Sequence, residues 1–212
     1  MSESAEATLV GKREKRRAKR QTAILKVAER CFLENGYGGT SMSSISQALG
    51  GSKGTLWSYF SSKEELFAAV IDQKVEIFRG PLNSAFDPKA DLRAALEQFC
   101  ERFIRKITSA EGIALFRIVA GESVRSPEVG RIFYERGPGN NERILAEFLE
   151  NHLARGNLRR LSEPDDMARF LRSMCTGSKH MRMVLGIDPP GAIDSAADAK
   201  HVVEVFLAAY GG

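Results

Sequence analysis

The stretch from residue 40 to residue 67, TSMSSISQALGGSKGTLWSYFSSKEELF, is the part of the chain that most constrains the fold. Two short segments flank the pair Gly50-Gly51, and glycine reverses a chain at positive φ without steric cost. Apolar residues recur at helical spacing on one face of each segment, at Met42, Ile45 and Leu49 and then at Leu56 and Phe60. This pattern predicts two short helices joined by a tight turn, which is the layout of a helix-turn-helix.

Hydroxyl side chains stand where each helix is expected to begin. A side-chain oxygen at that position accepts a hydrogen bond from an otherwise unpaired backbone N–H group. The candidates are Thr40 or Ser41 for the first helix, Ser52 for the second, and Ser61 or Ser62 for a longer third helix. Glu64 and Glu65 follow the last pair at the spacing of a capping box, which strengthens the prediction of a helix beginning near residue 63.

The second segment carries donor, hydroxyl and aromatic groups on the face opposite its apolar residues. Such groups suit the base edges and phosphates of DNA. We expect Lys53 and Thr55 to approach bases, and Lys63 to face a phosphate from the start of the next helix. Packing inside the small domain is the alternative for Trp57 and Tyr59. The predicted DNA-binding residues are Thr40, Ser41, Ser52, Lys53, Gly54, Thr55, Trp57, Ser58, Tyr59 and Lys63.

Residues 21 to 71 resemble the DNA-binding domain of TetR-family transcriptional regulators. The matching residues are Ile24-Leu25, Ala28, Phe32, Gly36-Tyr37, Thr40, Ile45, Gly50, Ser52-Lys53-Gly54-Thr55-Leu56, Tyr59-Phe60, Lys63-Glu64 and Leu66. The sequence departs from the family pattern at Gly51, where a branched apolar residue is usual, and at Trp57, where tyrosine is usual. An indole donates a hydrogen bond but cannot accept one, so the second departure can alter a phosphate contact.

A basic segment precedes this region. Seven of the nine residues from 12 to 20 are lysine or arginine, and Glu14 is the one acid among them, in a chain whose formal net charge is +4. A basic run is often only a solvated tail, but beside a helix-turn-helix it favours contact with phosphates or the minor groove. We expect residues 1–16 to form a disordered arm in the absence of DNA.

The remainder of the chain shows helical periodicity without convincing strand alternation, so the predicted fold class is all-α. A first helix is expected over about 17–35, with Gly36 as its stop. A long helix from about residue 63 is expected to end at Gly80-Pro81, and Asp87-Pro88 to open the next. Ser126-Pro127 is expected to start a later helix, and Gly137-Pro138-Gly139 to interrupt it. The last two long helices are expected over about 163–185 and 193–210.

The order of helices beyond residue 80 is also similar to the TetR family, and SPEVGRIFYERGP (residues 126–138) resembles the AcrR and AefR groups. The resemblance implies a homodimer formed by the last two long helices of each subunit. Their apolar residues include Met167, Phe170, Leu171, Met174 and Cys175, then Val202, Val203, Phe206, Leu207 and Tyr210. Packing within their own domain is the alternative for these residues, and a widely apolar helix can serve both purposes.

The resemblance further implies a pocket for a small-molecule effector in the C-terminal domain. Aromatic and apolar side chains line such pockets, although each one taken singly fits ordinary core packing. The predicted pocket residues are Phe67, Ile71, Phe78, Phe99, Phe103, Leu115, Phe116, Val119, Phe133 and Met174. Gln98, Arg117 and Glu122 are polar candidates for orienting the effector.

Catalytic and metal-binding motifs are not found in the sequence. It contains no phosphate-binding loop, GxSxG, HExxH or CxxC motif, and His152, His180 and His201 lack ligand spacing. We therefore expect no enzyme activity, no metal and no cofactor. Cys31, Cys100 and Cys175 fit buried apolar faces, with redox sensing as the alternative. No apolar run is long enough to span a bilayer and no secretory signal precedes the charges, so we expect a cytoplasmic protein.

These patterns predict a basic arm at 1–16, a three-helix DNA-binding domain at 17–62 and a helical effector-binding and dimerisation domain at 63–212. The expected function is a dimeric transcriptional regulator, more readily a repressor than an activator. It would bind a palindromic operator and be released by a small apolar or amphipathic molecule. A nonspecific DNA-coating protein and a redox-sensing regulator are the alternatives.

Overall fold

The computed structural model describes residues 2–50, 53–86 and 91–212, with the side chains of residues 14–50, 54–74, 86 and 91–212. Within these residues the chain forms ten helices and no extended sheet. They are α1 (Ser2–Gly39), α2 (Met42–Ala48), α3 (Lys53–Trp57), α4 (Lys63–Ala85), α5 (Leu92–Thr108), α6 (Ala110–Glu122), α7 (Pro127–Arg136), α8 (Pro138–Ala154), α9 (Pro164–Val184) and α10 (Ser195–Tyr210).

Helix α1 extends further toward the N-terminus than the sequence indicated. The segment expected to be disordered, residues 1–16, is helical from Ser2 onward and continuous with the rest of α1. Lysine, arginine, alanine and glutamate dominate this segment, and all four are strong helix formers. A break at Gly36, with φ of 71°, lies where the sequence predicted the helix to stop.

The N-terminal caps of two other helices illustrate what sequence spacing shows and what it misses. Of the two predicted candidates, Ser62 caps α4, because its hydroxyl accepts from the N–H of Glu65 at 3.0 Å. The Glu65 carboxylate in turn accepts from the N–H of Ser61 at 2.7 Å, one residue earlier than in the usual capping box. Helix α5 begins at an unforeseen cap, Asp91, which accepts from the N–H of Ala94 at 2.8 Å. The predicted cap Asp87-Pro88 lies outside the described residues.

Two helices depart from the sequence prediction, one at its C-terminal end and one by an interruption within it. Helix α4 continues through Gly80-Pro81 to Ala85, because a proline removes only one backbone hydrogen bond and the turns on either side can maintain the helix. Helix α9 was predicted to be continuous, but Gly177 interrupts it with φ of 47° and ψ of −170°. Only glycine adopts that backbone conformation without strain. The break between α7 and α8 falls at Gly137, as predicted.

Two hydrophobic cores organise the fold. The first joins α1, the helix-turn-helix and α4 to parts of α6 and α7, and Tyr37, Phe67 and Ile45 are among its most buried residues. The second joins α5, α8, α9 and α10, with Phe99, Leu149 and Phe206 at its centre. Since α4, α6 and α7 contribute to the first core while α5 packs on α10, the two parts of the chain meet over a broad helical interface.

None of the described helices is long and apolar enough to cross a membrane.

Candidate DNA-binding surface and effector pocket

The turn before α2 separates two hydroxyls that the sequence could not distinguish. Ser41 caps α2, accepting from the N–H of Ser44 at 3.0 Å, and it is exposed. Thr40 is buried, and its hydroxyl donates to the carbonyl oxygens of Gly36 at 2.7 Å and Cys31 at 3.0 Å. Its assignment as a cap and as a DNA contact was therefore wrong, because this hydroxyl is committed to closing the end of α1.

The second helix of the motif, α3, turns a polar face outward and an apolar face inward. Leu56 and Phe60 are buried in the first core, as predicted. Gly54 and Ser58 are exposed, and the Ser58 hydroxyl donates to the carbonyl oxygen of Thr55 at 2.8 Å. Gly50 has φ of 64°, which provides the reversal between α2 and α3. Gly51 and Ser52 lie outside the described residues, as does the side chain of Lys53.

The aromatic residues of α3 and the following turn differ in exposure. Trp57 is 44% exposed, so the structure does not bury it in the small domain. Tyr59 is half-buried and packs against the first core. The guanidinium carbon of Arg17 lies 5.6 Å from the centre of the Tyr59 ring, within the range of a cation–π contact. Tyr59 therefore joins the turn after α3 to the basic part of α1.

An open groove lies between these two elements. One wall comes from α1 and the other from α3 with the following turn; the lining residues are Arg16, Arg17, Lys19, Arg20, Ala23, Thr55, Ser58 and Tyr59. Residues 14 to 23 are all exposed. The groove thus combines a row of cations with the hydroxyl groups predicted to contact DNA, an arrangement suited to a phosphate backbone.

The ammonium group of Lys63 is held by contacts within the protein and does not project freely toward a phosphate. Its ammonium donates to the carbonyl oxygen of Tyr37 at 3.0 Å and lies 4.1 Å from the centre of the Tyr37 ring. The Tyr37 hydroxyl in turn donates to Glu64 at 3.1 Å. Burial, together with the Glu64 carboxylate, raises the pKa of Tyr37 well above its usual range. These contacts fix the start of α4 to the end of α1.

A mainly apolar pocket of about 140 Å³ is lined by residues from each of the helices α4 to α9. Five of the predicted pocket residues line it, namely Ile71, Phe103, Leu115, Phe116 and Phe133. Phe116 is 37% exposed and so reaches the surface at this pocket. Its ring meets the edge of Phe133 at 6.4 Å and of His180 at 5.1 Å between centroids.

The other predicted pocket residues lie elsewhere. Phe67 and Val119 are buried in the first core. Phe99 is buried in the second, with Phe103 stacked on it at 5.8 Å between centroids. Met174 lines a different cavity, between α5, α9 and α10. The side chain of Phe78 lies outside those that the structure describes.

Polar residues that the sequence did not indicate also line the pocket. They include Asn141 and His180, which are both buried, together with Arg172, Thr176, Lys74 and Lys106. Burial lowers the pKa of His180, which favours the neutral imidazole. Each of these residues is a single polar position on an amphipathic helix, so no sequence pattern separates them from surface residues.

The polar residues that the sequence did suggest for the pocket do not line it. Gln98 is exposed on α5. Arg117 donates to the carbonyl oxygens of Met183 at 2.6 Å and Val184 at 2.8 Å, which caps the C-terminus of α9. Glu122 accepts from the backbone N–H of Gly38 at 3.0 Å. Helix α6 is thus attached to α9 and to the DNA-binding domain.

Lys74 makes a second connection between the pocket and the DNA-binding domain. It lines the pocket from α4, and its ammonium lies 2.5 Å from the Glu29 carboxylate of α1. Burial alone would lower the pKa of Lys74, but the carboxylates of Glu29 and Glu111 together outweigh burial and raise this pKa. The lysine is therefore charged and bound to the domain that carries the recognition helix.

The cysteines are all buried. A hydrogen bond with Cys175, followed by burial, raises the pKa of Cys100 well above its usual value, and burial raises the pKa of Cys31. Because the thiolate is the reactive form, these environments disfavour the redox-sensing alternative. The described residues also contain no group of three or more histidine, cysteine or acidic side chains arranged to hold a metal ion.

Large apolar side chains are exposed on the last two long helices. Phe170 and Met181 on α9 and Val205 on α10 are each about half exposed, whereas Met167, Leu171 and Val203 face the second core. The two helices therefore divide their apolar residues between the interior and the surface, as the widely apolar pattern allowed.

The combination of a helix-turn-helix and a helical domain with an internal pocket defines a class of protein, the effector-responsive DNA-binding regulators. Comparison with known families agrees: residues 24–70 match the model for bacterial regulatory proteins of the tetR family, and residues 94–212 match the AefR-like transcriptional repressor C-terminal domain. The chain belongs to the TetR family of transcriptional regulators. It is a DNA-binding regulator and not an enzyme.

Individual relatives support this assignment. The chain is 27% identical over 158 residues to the transcriptional repressor ComR of Escherichia coli K12, covering 73% of this chain and 75% of that protein. It is 37% identical over 87 residues to the regulator RutR of the same strain, covering 41% of each.

Solved structures extend the similarity over almost the whole chain. The flavonoid-responsive regulator FrrA superposes with a TM-score of 0.75 at 31% identity, covering 92% of this chain and 98% of that one. A TetR-family regulator from Mesorhizobium loti gives a TM-score of 0.76 at 26% identity with the same coverage. The predicted all-α fold, with an N-terminal helix-turn-helix and a C-terminal helical domain, is confirmed.

Proposed function

We propose that the protein is a homodimeric repressor that binds a palindromic operator and releases it when a small apolar or amphipathic effector enters the pocket. The observation that carries the DNA-binding part is the groove between α1 and α3, where Arg16, Lys19 and Arg20 face Thr55 and Ser58. In this arrangement α3 reads base edges in the major groove while the cations of α1 bind the adjoining phosphates.

Helix α4 provides the path from the pocket to the operator. It begins at Lys63, against the helix-turn-helix, and passes the pocket at Ile71 and Lys74. An effector that prefers one position of α4 and α6 changes the spacing of the two recognition helices in the dimer. It can shift the equilibrium only by its difference in affinity between the two arrangements.

The dimer interface is assigned to α9 and α10. Phe170, Met181 and Val205 present apolar surface there that no other described part of the subunit covers. A second subunit related by a twofold axis would bury this surface, and the same axis would place two recognition helices on one face of the duplex. The palindromic symmetry of the operator follows from the symmetry of the dimer.

The nature of the effector is inferred from the pocket walls. Phe103, Phe116 and Phe133 provide aromatic contact area, which suits an apolar or amphipathic molecule. The similar regulator FrrA is described as responsive to flavonoids, which are aromatic, and this supports an aromatic effector here. A nonspecific DNA-coating role would leave the pocket without a purpose. We further propose that the protein is located in the cytoplasm, because that is where the DNA that it would bind is found.

Footprinting combined with genome-wide mapping of bound DNA tests the proposal. We expect protection of short, sharply bounded segments whose two halves are related by inverted symmetry. Protection that spreads without fixed boundaries would contradict a specific operator and favour the DNA-coating alternative. The genes beside the mapped sites would then identify what the repressor controls.

A further inference from the structure

The charges around the effector pocket are already matched. Lys74 pairs with Glu29 at 2.5 Å, and Arg172 pairs with Glu142 at 2.5 Å. Glu111 lies 3.4 Å from Lys74 and 4.0 Å from Lys106, so the three pocket cations face three carboxylates. A charged effector would lose its hydration without gaining an unpaired counter-ion. The pocket therefore disfavours carboxylates and ammonium ions.

The pocket opens to solvent beside Phe116 and has room for a ring-sized molecule. The cavity measures about 140 Å³ in this structure. A cavity of about 150 Å³ in another protein, lined by aliphatic and aromatic side chains, binds benzene. The space here accordingly suits one six-membered ring with small substituents, held by edge and face contacts with Phe103, Phe116 and His180.

Asn141 supplies a polar contact in this apolar pocket. It is 6% exposed, lines the pocket from the first turns of α8, and its Oδ1 atom is buried without a hydrogen-bond partner among the described residues. A buried amide without a partner costs free energy, so such groups are rare unless a ligand or water satisfies them. A hydroxyl suits this amide in either orientation, because it both donates and accepts.

Two nearby polar groups are already bound within the protein. Thr176 donates its hydroxyl to the carbonyl oxygen of Arg172 at 3.1 Å. The Glu142 carboxylate is bound by Arg172 at 2.5 Å and by the Tyr134 hydroxyl at 2.9 Å. Asn141 is thus the pocket side chain that the fold buries and leaves with an unsatisfied oxygen.

We infer that the effector is an uncharged, single-ring aromatic molecule with a hydroxyl group, a simple phenol, whose hydroxyl is bound by Asn141. This inference rests on the proposed function, since it concerns the same pocket, and it specifies the chemical class of the effector. The phenol stacks among the aromatic walls while its hydroxyl satisfies the amide. The matched ion pairs keep the surroundings neutral.

Calorimetric titration of the full-length protein without DNA tests the inference. The probes are p-cresol, toluene and p-toluate, which share a ring and a methyl group and differ in the group opposite it. We expect p-cresol to bind, and p-toluate to bind at least about 100-fold more weakly because its charge lacks a partner. Equal or tighter binding of p-toluate would overturn the uncharged class, and no binding of p-cresol would overturn the whole inference.

Replacement of the amide tests its role directly. Asn141→Leu should weaken p-cresol binding about tenfold, the effect of one buried hydrogen bond, and leave toluene binding unchanged or tighter. Asn151→Leu is the matched control, because Asn151 is an exposed asparagine on the same helix. An unchanged ratio of p-cresol to toluene affinity in Asn141→Leu would remove Asn141 from the site.

The two variants are compared only if both fold, which thermal denaturation establishes. Leucine at an unsatisfied buried amide is expected to be tolerated, and the comparison of probes in the unmodified protein does not depend on it. Footprinting with the same preparation distinguishes a failure of the effector inference from a failure of the proposed repressor function. Specific DNA binding without p-cresol binding overturns only this inference, whereas p-cresol binding without specific DNA binding overturns the proposed repressor function.

Discussion

The carboxylate of Glu122 accepts a hydrogen bond from the backbone N–H of Gly38, with Oε2 and N separated by 3.0 Å and 84 residues of chain. Glu122 ends α6, the helix whose earlier turns line the pocket at Leu115 and Phe116. Gly38 belongs to the end of α1, just before the helix-turn-helix. The contact joins the effector pocket to the DNA-binding domain by a route separate from α4.

The first prediction concerns this contact. A Cβ atom at Gly38 would lie 3.0 Å from Glu122 Oε2, so Gly38→Ala should displace the carboxylate. We expect operator affinity to change less than about threefold and the effect of an effector on that affinity to fall by about fivefold or more, the lower end of typical coupling. Anisotropy titrations with labelled operator, with and without p-cresol, measure both quantities.

Gly39→Ala is the matched control for this prediction. A Cβ atom there would meet only Asn35 Cβ, at an ordinary distance of 3.7 Å. Its effector response should equal that of the unmodified protein. Loss of the response in Gly39→Ala as well, or its retention in Gly38→Ala, would exclude the Glu122 contact as a coupling element.

The second prediction concerns the mouth of the pocket. Phe116→Ala should reduce the free energy of unfolding by much less than the ~3–5 kcal/mol expected for a fully buried phenylalanine, because this ring is 37% exposed. Toluene binding should weaken about tenfold through lost aromatic contacts. Thermal denaturation and calorimetry measure the two effects.

Leu161→Ala removes an exposed apolar side chain outside both the pocket and the proposed dimer interface, and it should leave toluene affinity unchanged. A Phe116→Ala protein that unfolds would place this ring in the core instead. One that binds toluene as before would show that the ring does not contact the ligand, and the pocket assignment would then shift to other residues.

The third prediction concerns the basic part of α1. Lys19 and Arg20 line the groove beside Thr55. The double variant Lys19→Ala/Arg20→Ala should weaken binding to specific and random DNA alike. It should also reduce the slope of log affinity against log salt by about two phosphate contacts, or ~1.8.

Arg93→Ala/Arg131→Ala removes the same net charge from α5 and α7 and serves as the control. Its salt dependence should match that of the unmodified protein. If the slope of log affinity against log salt falls by the same amount in both double variants, net charge explains the effect. The basic part of α1 would then make no specific contact with DNA.

The fourth prediction concerns the dimer. Phe170→Asp should place a charge in the proposed interface on α9, and the protein should sediment as a monomer at concentrations where the unmodified chain is a dimer. Val124→Asp is the control, since Val124 is 87% exposed in the turn after α6. A dimeric Phe170→Asp protein would show that the interface lies elsewhere.

Helix boundaries that depend on local chemistry could be predicted from the sequence. Ser62 and Gly36 were placed correctly because a cap and a left-handed glycine act within a few residues of chain. The expected end of α4 at Gly80-Pro81 was wrong, and the interruption of α9 at Gly177 was not predicted, for a common reason. Whether a glycine interrupts a helix, or a proline is tolerated in one, depends on the packing around it, and sequence spacing does not contain that information.

The kind of site could be predicted from the sequence, but only some of the residues that form it could. Phe99 and Phe116 are the same residue type at helical spacing, yet one is buried in the core and the other borders the pocket. Thr40 and Ser41 are adjacent hydroxyls, yet only Thr40 is committed to interior carbonyl oxygens. Partners distant in sequence decide each case, as they do for Asn141, which no pattern indicated.

Selection of DNA from a random pool, by the unmodified protein and by Thr55→Ala, tests whether α3 reads a specific palindromic operator. The unmodified protein should enrich one motif of two inverted half-sites. The variant should enrich a motif relaxed at the same position in each half, with about 1 kcal/mol of discrimination lost there. Enrichment of no motif by the unmodified protein, or of an identical motif by the variant, would contradict the claim.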